Sequence, residues 1–74
     1  MQMVTLNQFL SDREIRHAVK LFRELGSGGR FIHAVEENII RPNLDRINAA
    51  LGQENDPTYL AYAIEYVLTK ASNE

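Results

Sequence analysis

Residues 30–51 read RFIHAVEENIIRPNLDRINAAL, a run with helical period from end to end and a proline, Pro42, in its middle. At about 100° per residue, Phe31, Ile32, Val35 and Ile39 share one face of a helix. Ile40, Leu44, Ile47 and Leu51 share another, about 130° further round by the same geometry. The apolar stripe therefore changes sides at the proline. A proline inside a helix deletes one backbone hydrogen bond and crowds the preceding turn, at a cost of about 3 kcal/mol. It also biases Arg41 away from the helical basin. The two signals coincide and predict a break or sharp bend, with helices near 30–41 and 42–51. The competing arrangement is one kinked helix whose faces meet different partners, one inside the subunit and one on a second copy.

On the N-terminal side, Thr5-Leu-Asn-Gln8 and Ser11-Asp-Arg-Glu14 both fit the capping-box pattern. The second is stronger, because Asp12 and Glu14 also place negative charge in a first helical turn. A short helical turn at 5–10 is expected, then a helix over 12–25. Its core face is Ile15, Ala18, Val19, Phe22 and Leu25 at i, i+3, i+4, i+7 spacing. Gly26 suits the position just past the helix end. The connector Gly26-Ser27-Gly28-Gly29 is short enough to make the flanking helices antiparallel neighbours.

On the C-terminal side, Gly52 ends the central segment and Asp56-Pro57 starts the next helix, as N-cap and first helical residue. From there to about Ala71, Leu60, Ala63, Ile64, Val67, Leu68 and Ala71 form a core face. Tyr59, Tyr62 and Tyr66 lie on a second stripe of the same helix. Ser72-Asn73-Glu74 should fray. Nothing alternates with period two over a useful length. The expected fold is all-α: a single domain over 1–74, a small bundle of three principal helices with the middle one kinked or broken at Pro42, plus a short N-terminal helical turn.

The totals bound the chemistry. A chain of 74 residues buries only about 60–65% of its unfolded surface, so its stability is marginal without disulfides, metal, very regular packing or association. Cysteine is absent, which removes disulfides and thiolate chemistry and points to a cytoplasmic setting. No apolar run is long enough for a membrane span, and the N-terminus lacks the basic region and apolar length of a signal peptide. Net charge is −2, against a general polyanion binder. The charge is uneven: residues 1–46 carry seven Lys/Arg and six Asp/Glu, residues 47–74 one (Lys70) against four.

Arg13, Arg16, Lys20 and Arg23 fall within about 80° of arc opposite the first helix's core face. With Arg30 they are candidate contacts for an acidic partner or for phosphates, although four such cations are most often a solvated face. Helix, glycine-containing turn, helix is also the gross layout of a helix-turn-helix, but the turn is long and Glu36 and Glu37 stand where base-reading side chains belong. The glycine connector leads into a helix N-terminus, where an anion is favoured, yet the strand and the Lys-Ser/Thr ending of a phosphate loop are missing. Glu14-Ile-Arg-His17 has the Glu-x-x-His spacing of dimetal bundles, which need two such motifs and two more inward glutamates. His33 with Glu36 and Glu37 reads better as an exposed ion pair. No third group orients either histidine for acid–base work. No catalytic residue, metal or cofactor is therefore expected.

Three phenols are many for a solvated helix face, and their hydroxyls suit a surface that is buried yet wet at its edge. They either flank the core and point outward or form an interface, with Ile40, Leu44, Ile47 and Leu51 as its counterpart. Surplus apolar surface on so small a chain favours association. The expectation is a non-enzymatic protein–protein interaction module, an adaptor, modulator or inhibitor of a larger assembly, that forms a homo-oligomer. The alternative is a small nucleic-acid-binding regulator that uses the basic ridge.

Overall fold

The computed structural model describes residues 6–72, which are helical apart from short connections and contain no strand. A 3-10 turn at Leu6–Gln8 leads to α1 (Asp12–Leu25), α2 (Gly29–Val35), α3 (Leu44–Leu51) and α4 (Pro57–Ser72). The all-α bundle expected from periodicity is the fold. Between α2 and α3 the backbone stays helical throughout: a π-turn over Glu36–Ile40 passes directly into a 3-10 turn over Arg41–Asn43.

Helix ends follow their local chemistry. The Glu14 N–H donates to Ser11 Oγ at 3.2 Å while Glu14 Oε1 accepts the Ser11 N–H at 2.9 Å, a complete capping box for α1. The other candidate box begins at Thr5, outside the described residues, but the Leu6 carbonyl accepts the Leu10 N–H at 2.8 Å and closes a turn there. α3 ends in a Schellman motif: Gly52 sits at φ 74°, ψ 17°, and the Gly52 and Gln53 N–H groups donate to the Ala49 and Asn48 carbonyls. Asp56 Oδ1 accepts the Thr58 N–H at 2.8 Å and caps α4. That helix runs through Ser72, one residue beyond the expected end, and the fraying expected at Asn73 and Glu74 lies outside the described residues.

Pro42 bends the rod and leaves it connected. Having no N–H, it cannot satisfy the Asn38 carbonyl. The chain widens ahead of the ring, with the Arg41 N–H reaching back five residues to the Glu36 carbonyl. The bend falls at Asn43, which leaves the helical basin at φ −124°, ψ 16°. Its side-chain Nδ2 donates to the Ile39 carbonyl at 2.8 Å. Asn38 Nδ2 does the same for the Ala34 carbonyl at 2.9 Å. The boundary expected between 41 and 42 is thus spread over the eight residues 36–43, because two irregular turns absorb what one broken bond would have concentrated.

Because the rod bends, both of its stripes enter one core. Phe31, Val35, Ile39, Ile40 and Ile47 are all buried to 1% exposure or less. This corrects the assignment of Ile40 and Ile47 to a partner-facing stripe: a straight helix would have turned them away, but the wide π-turn shifts the phase at Ile40 and the bend at Asn43 turns Ile47 in. Of that stripe, Leu44 and Leu51 are left half-buried at its edges. Leu60, Ala61, Ile64 and Leu68 of α4 cover the core from one side. Leu6, Phe9 and Leu10 plug it with side chains that no helical period marks as core. α1 lies further out. Ala18 is its one fully covered residue, while Ile15, Val19, Phe22 and Leu25 are half-buried. Phe22 meets Phe31 edge to face, with ring centroids 5.4 Å apart. The radius of gyration, 11.4 Å, equals the roughly 11 Å of a compact chain this long.

Candidate interaction surface

α4 buries Leu60, Ile64 and Leu68, which fixes the direction of its opposite face. Tyr59, Tyr62 and Tyr66 point that way, at 64%, 56% and 52% exposure. Each is more than half in solvent, an orientation shared by a stripe that flanks the core and points outward and by an open interface. No other large hydrophobic side chain among the described residues is exposed. Lys70 continues the stripe one turn on, its Nζ 5.7 Å from the centre of the Tyr66 ring, a cation–π contact. Beside the stripe, Phe9, Leu51, Tyr59, Leu60 and Ala63 line a small apolar cleft of about 130 Å³. It is where the half-buried Leu51 meets the tyrosine face, so these two parts of the expected interface adjoin, whereas Ile40 and Ile47 do not reach the surface.

Charge is distributed with similar economy. Arg46 Nη2 reaches both oxygens of Glu14, at 2.6 and 2.7 Å, and Nη1 donates to the Phe9 carbonyl at 3.4 Å, tying α3 to α1 and the N-terminal turn. Burial pushes the Glu14 carboxyl up, but the Ser11 N–H and the Arg46 guanidinium outweigh it and hold the group below the usual carboxylate range. Arg41 pairs with Glu37 at 2.9 Å and Glu36 at 3.4 Å. Glu36 also accepts from Thr58 Oγ1 at 2.8 Å, which joins the π-turn to α4. The five remaining cations are Arg13, Arg16, Lys20, Arg23 and Arg30, the ridge singled out from the sequence. All five are exposed and none forms an ion pair with another described residue.

The glycine connector is already occupied. Glu65 Oε2 accepts the Gly28 N–H at 2.7 Å, so a carboxylate from α4 sits where a phosphate would bind. Gly28 stands at φ 124°, a conformation L side chains rarely adopt. His17 and His33 are exposed, and the glutamates nearest them in sequence (Glu14, Glu36, Glu37) are engaged as described. Among the described residues no group of three His, Asp or Glu side chains is placed to hold a metal, and no helix is long and apolar enough to cross a membrane. A wider depression of about 420 Å³ over residues 41–46 is lined by the bend itself, with both of its arginines committed to ion pairs. Neither Arg46 nor Glu65 could be assigned from the sequence, since their partners lie 32 and 37 residues away. Comparison of the chain with known protein families, with characterised proteins and with solved structures returns no match.

Proposed function

We propose that this chain is a non-enzymatic helical module that works by protein–protein contact and associates with itself, in a cytoplasmic setting, as an adaptor, modulator or inhibitor of a larger assembly. The observation that carries the reading is the row of three tyrosines on α4, each more than half exposed beside an otherwise closed core. Aromatic side chains with a polar tip are enriched where protein surfaces meet, and their rigid rings lose little entropy on docking. Leu51 and the cleft beside Tyr59 extend the face. Light scattering coupled to size exclusion at micromolar concentration tests the reading. The wild type is expected to run heavier than one copy, and Tyr62→Ser with Tyr66→Ser to run as one. A wild type that stays monomeric throughout contradicts it.

A second reading has its own observation in Arg13, Arg16, Lys20, Arg23 and Arg30, five exposed cations without an ion partner among the described residues. Such a ridge suits an acidic protein or a nucleic acid, and the net charge of −2 weighs against the latter. Salt-dependent DNA binding that Arg16→Glu abolishes would favour the regulator; absence of binding at low salt would remove it.

A further inference from the structure

We propose that the occupant of the α4 face is the same face of a second copy, laid antiparallel about a two-fold axis that passes between Tyr62 and Ala63. The inference rests on the self-association above and adds its geometry. Tyr59, Tyr62, Tyr66 and Lys70 follow one another at spacings of three, four and four residues, which keeps them in a single stripe. Acids precede the stripe and its cation stands near the far end, with Glu74 following in sequence. Glu54 and Asp56 stand at the N-terminal end of α4, and Lys70, the one cation in residues 47–74, stands near the other.

A two-fold axis brings unlike ends together. With its centre between residues 62 and 63, Tyr59 lies over the partner's Tyr66 and Tyr62 over the partner's Ala63. Lys70 reaches the partner's Glu54 and the partner's Asp56. Every contact occurs twice, as an isologous interface requires. Ala63 is the small residue that lets the rings interlock. The two helix dipoles also run in opposite directions, so each end meets the sign that suits it. A parallel pair would set Lys70 against the partner's Lys70 and acid against acid. Neither Glu54 nor Lys70 has an ion partner among the described residues; Lys70 lies over the Tyr66 ring, a contact that leaves its ammonium donors able to pair across the axis.

The area sets the strength. A whole tyrosine presents about 150–250 Å², so the measured exposures leave about 350 Å² of phenol surface per copy. Doubled and extended by the flanking side chains, this stays at or below the roughly 1,200 Å² where standard interfaces begin. The dimer is therefore weak and reversible.

A chain without cysteine lets the arrangement be tested directly. Single variants Ala63→Cys and Lys70→Cys retain all three tyrosines and are treated with a short bis-maleimide. Cross-linking of A63C to itself is expected, since the two copies meet there. K70C alone should fail, because its two copies lie about 22 Å apart at 1.5 Å rise per residue, whereas K70C mixed with Glu54→Cys should cross-link. Self-linking of K70C at the rate of A63C would show a parallel pair and overturn the proposal. A dimer by sedimentation with no link at residue 63 would overturn the α4 pairing while leaving self-association standing. A protein monomeric at every concentration would remove the underlying reading itself. Charge reversal gives an independent readout: Glu54→Lys or Lys70→Glu alone should weaken the dimer about fivefold, and the two together should restore it. Failure of the double variant to recover would contradict the charge pairing.

Discussion

Glu14 ties a helix end to a distant element. Its carboxylate completes the cap of α1 and receives Arg46 from α3, 32 residues away. Removing it as Glu14→Ala should cost about 1–2 kcal/mol in urea unfolding, from a lost cap bond and a guanidinium left without its partner. The pH dependence has a definite sign. Because its carboxyl is held below the usual carboxylate range, the folded chain takes up that proton less readily than the unfolded one. The stabilisation is complete above the ordinary carboxylate value and is lost as pH falls through the lowered folded value. Unfolding curves between neutral and acid pH should show this loss in the wild type and a shallower one in Glu14→Gln. Equal slopes would place the carboxyl's shift elsewhere. The identity of Gly52 is dictated locally: at φ 74° nothing crowds a Cβ, yet the backbone itself resists one. Gly52→Ala should therefore cost about 1 kcal/mol with no change in the fold.

At the scale of elements, the segment around Pro42 separates what a sequence can state from what it cannot. The capping box at Ser11–Glu14, the Asp56-Pro57 start and the glycine at 52 fix helix ends through contacts a few residues long, and all three stand where local chemistry places them. The proline announces a disturbance, and its form depends on more distant packing. Asn38 and Asn43 donate side-chain amides to the Ala34 and Ile39 carbonyls, which helps keep the bend connected. The π-turn and the bend together bring Ile40 and Ile47 inward, which no wheel drawn on a straight helix can reveal. Leu6, Phe9 and Leu10 were equally hidden, because a single turn offers no period to read while it fills the core. Ile47→Ala should accordingly cost about 2–5 kcal/mol in urea unfolding, as a cavity in an interior does. A change under about 0.5 kcal/mol, the size of a surface effect, would mean that Ile47 does not sit inside the folded chain.

For the whole molecule, the division of labour among surfaces is the main result. The interior closes over both stripes of the central rod, three of the eight cations are engaged by acids or a ring, and two patches are left over: the phenols of α4 and the basic ridge of α1 with Arg30. Both patches were visible in the sequence as spaced residues. How far the phenols are exposed required the fold, since a wheel gives direction and not cover. Core substitutions and face substitutions should thus separate: Tyr62→Ser should leave the unfolding free energy of the single copy within about 0.5 kcal/mol of wild type, while changing association. The most direct measurement is an NMR dilution series from millimolar to micromolar protein. The account predicts shifts concentrated on residues 54–70, led by the rings of Tyr59, Tyr62 and Tyr66, with the methyls of Ile47 unmoved. Spectra that do not change with concentration, or changes gathered on α1 instead, would contradict it.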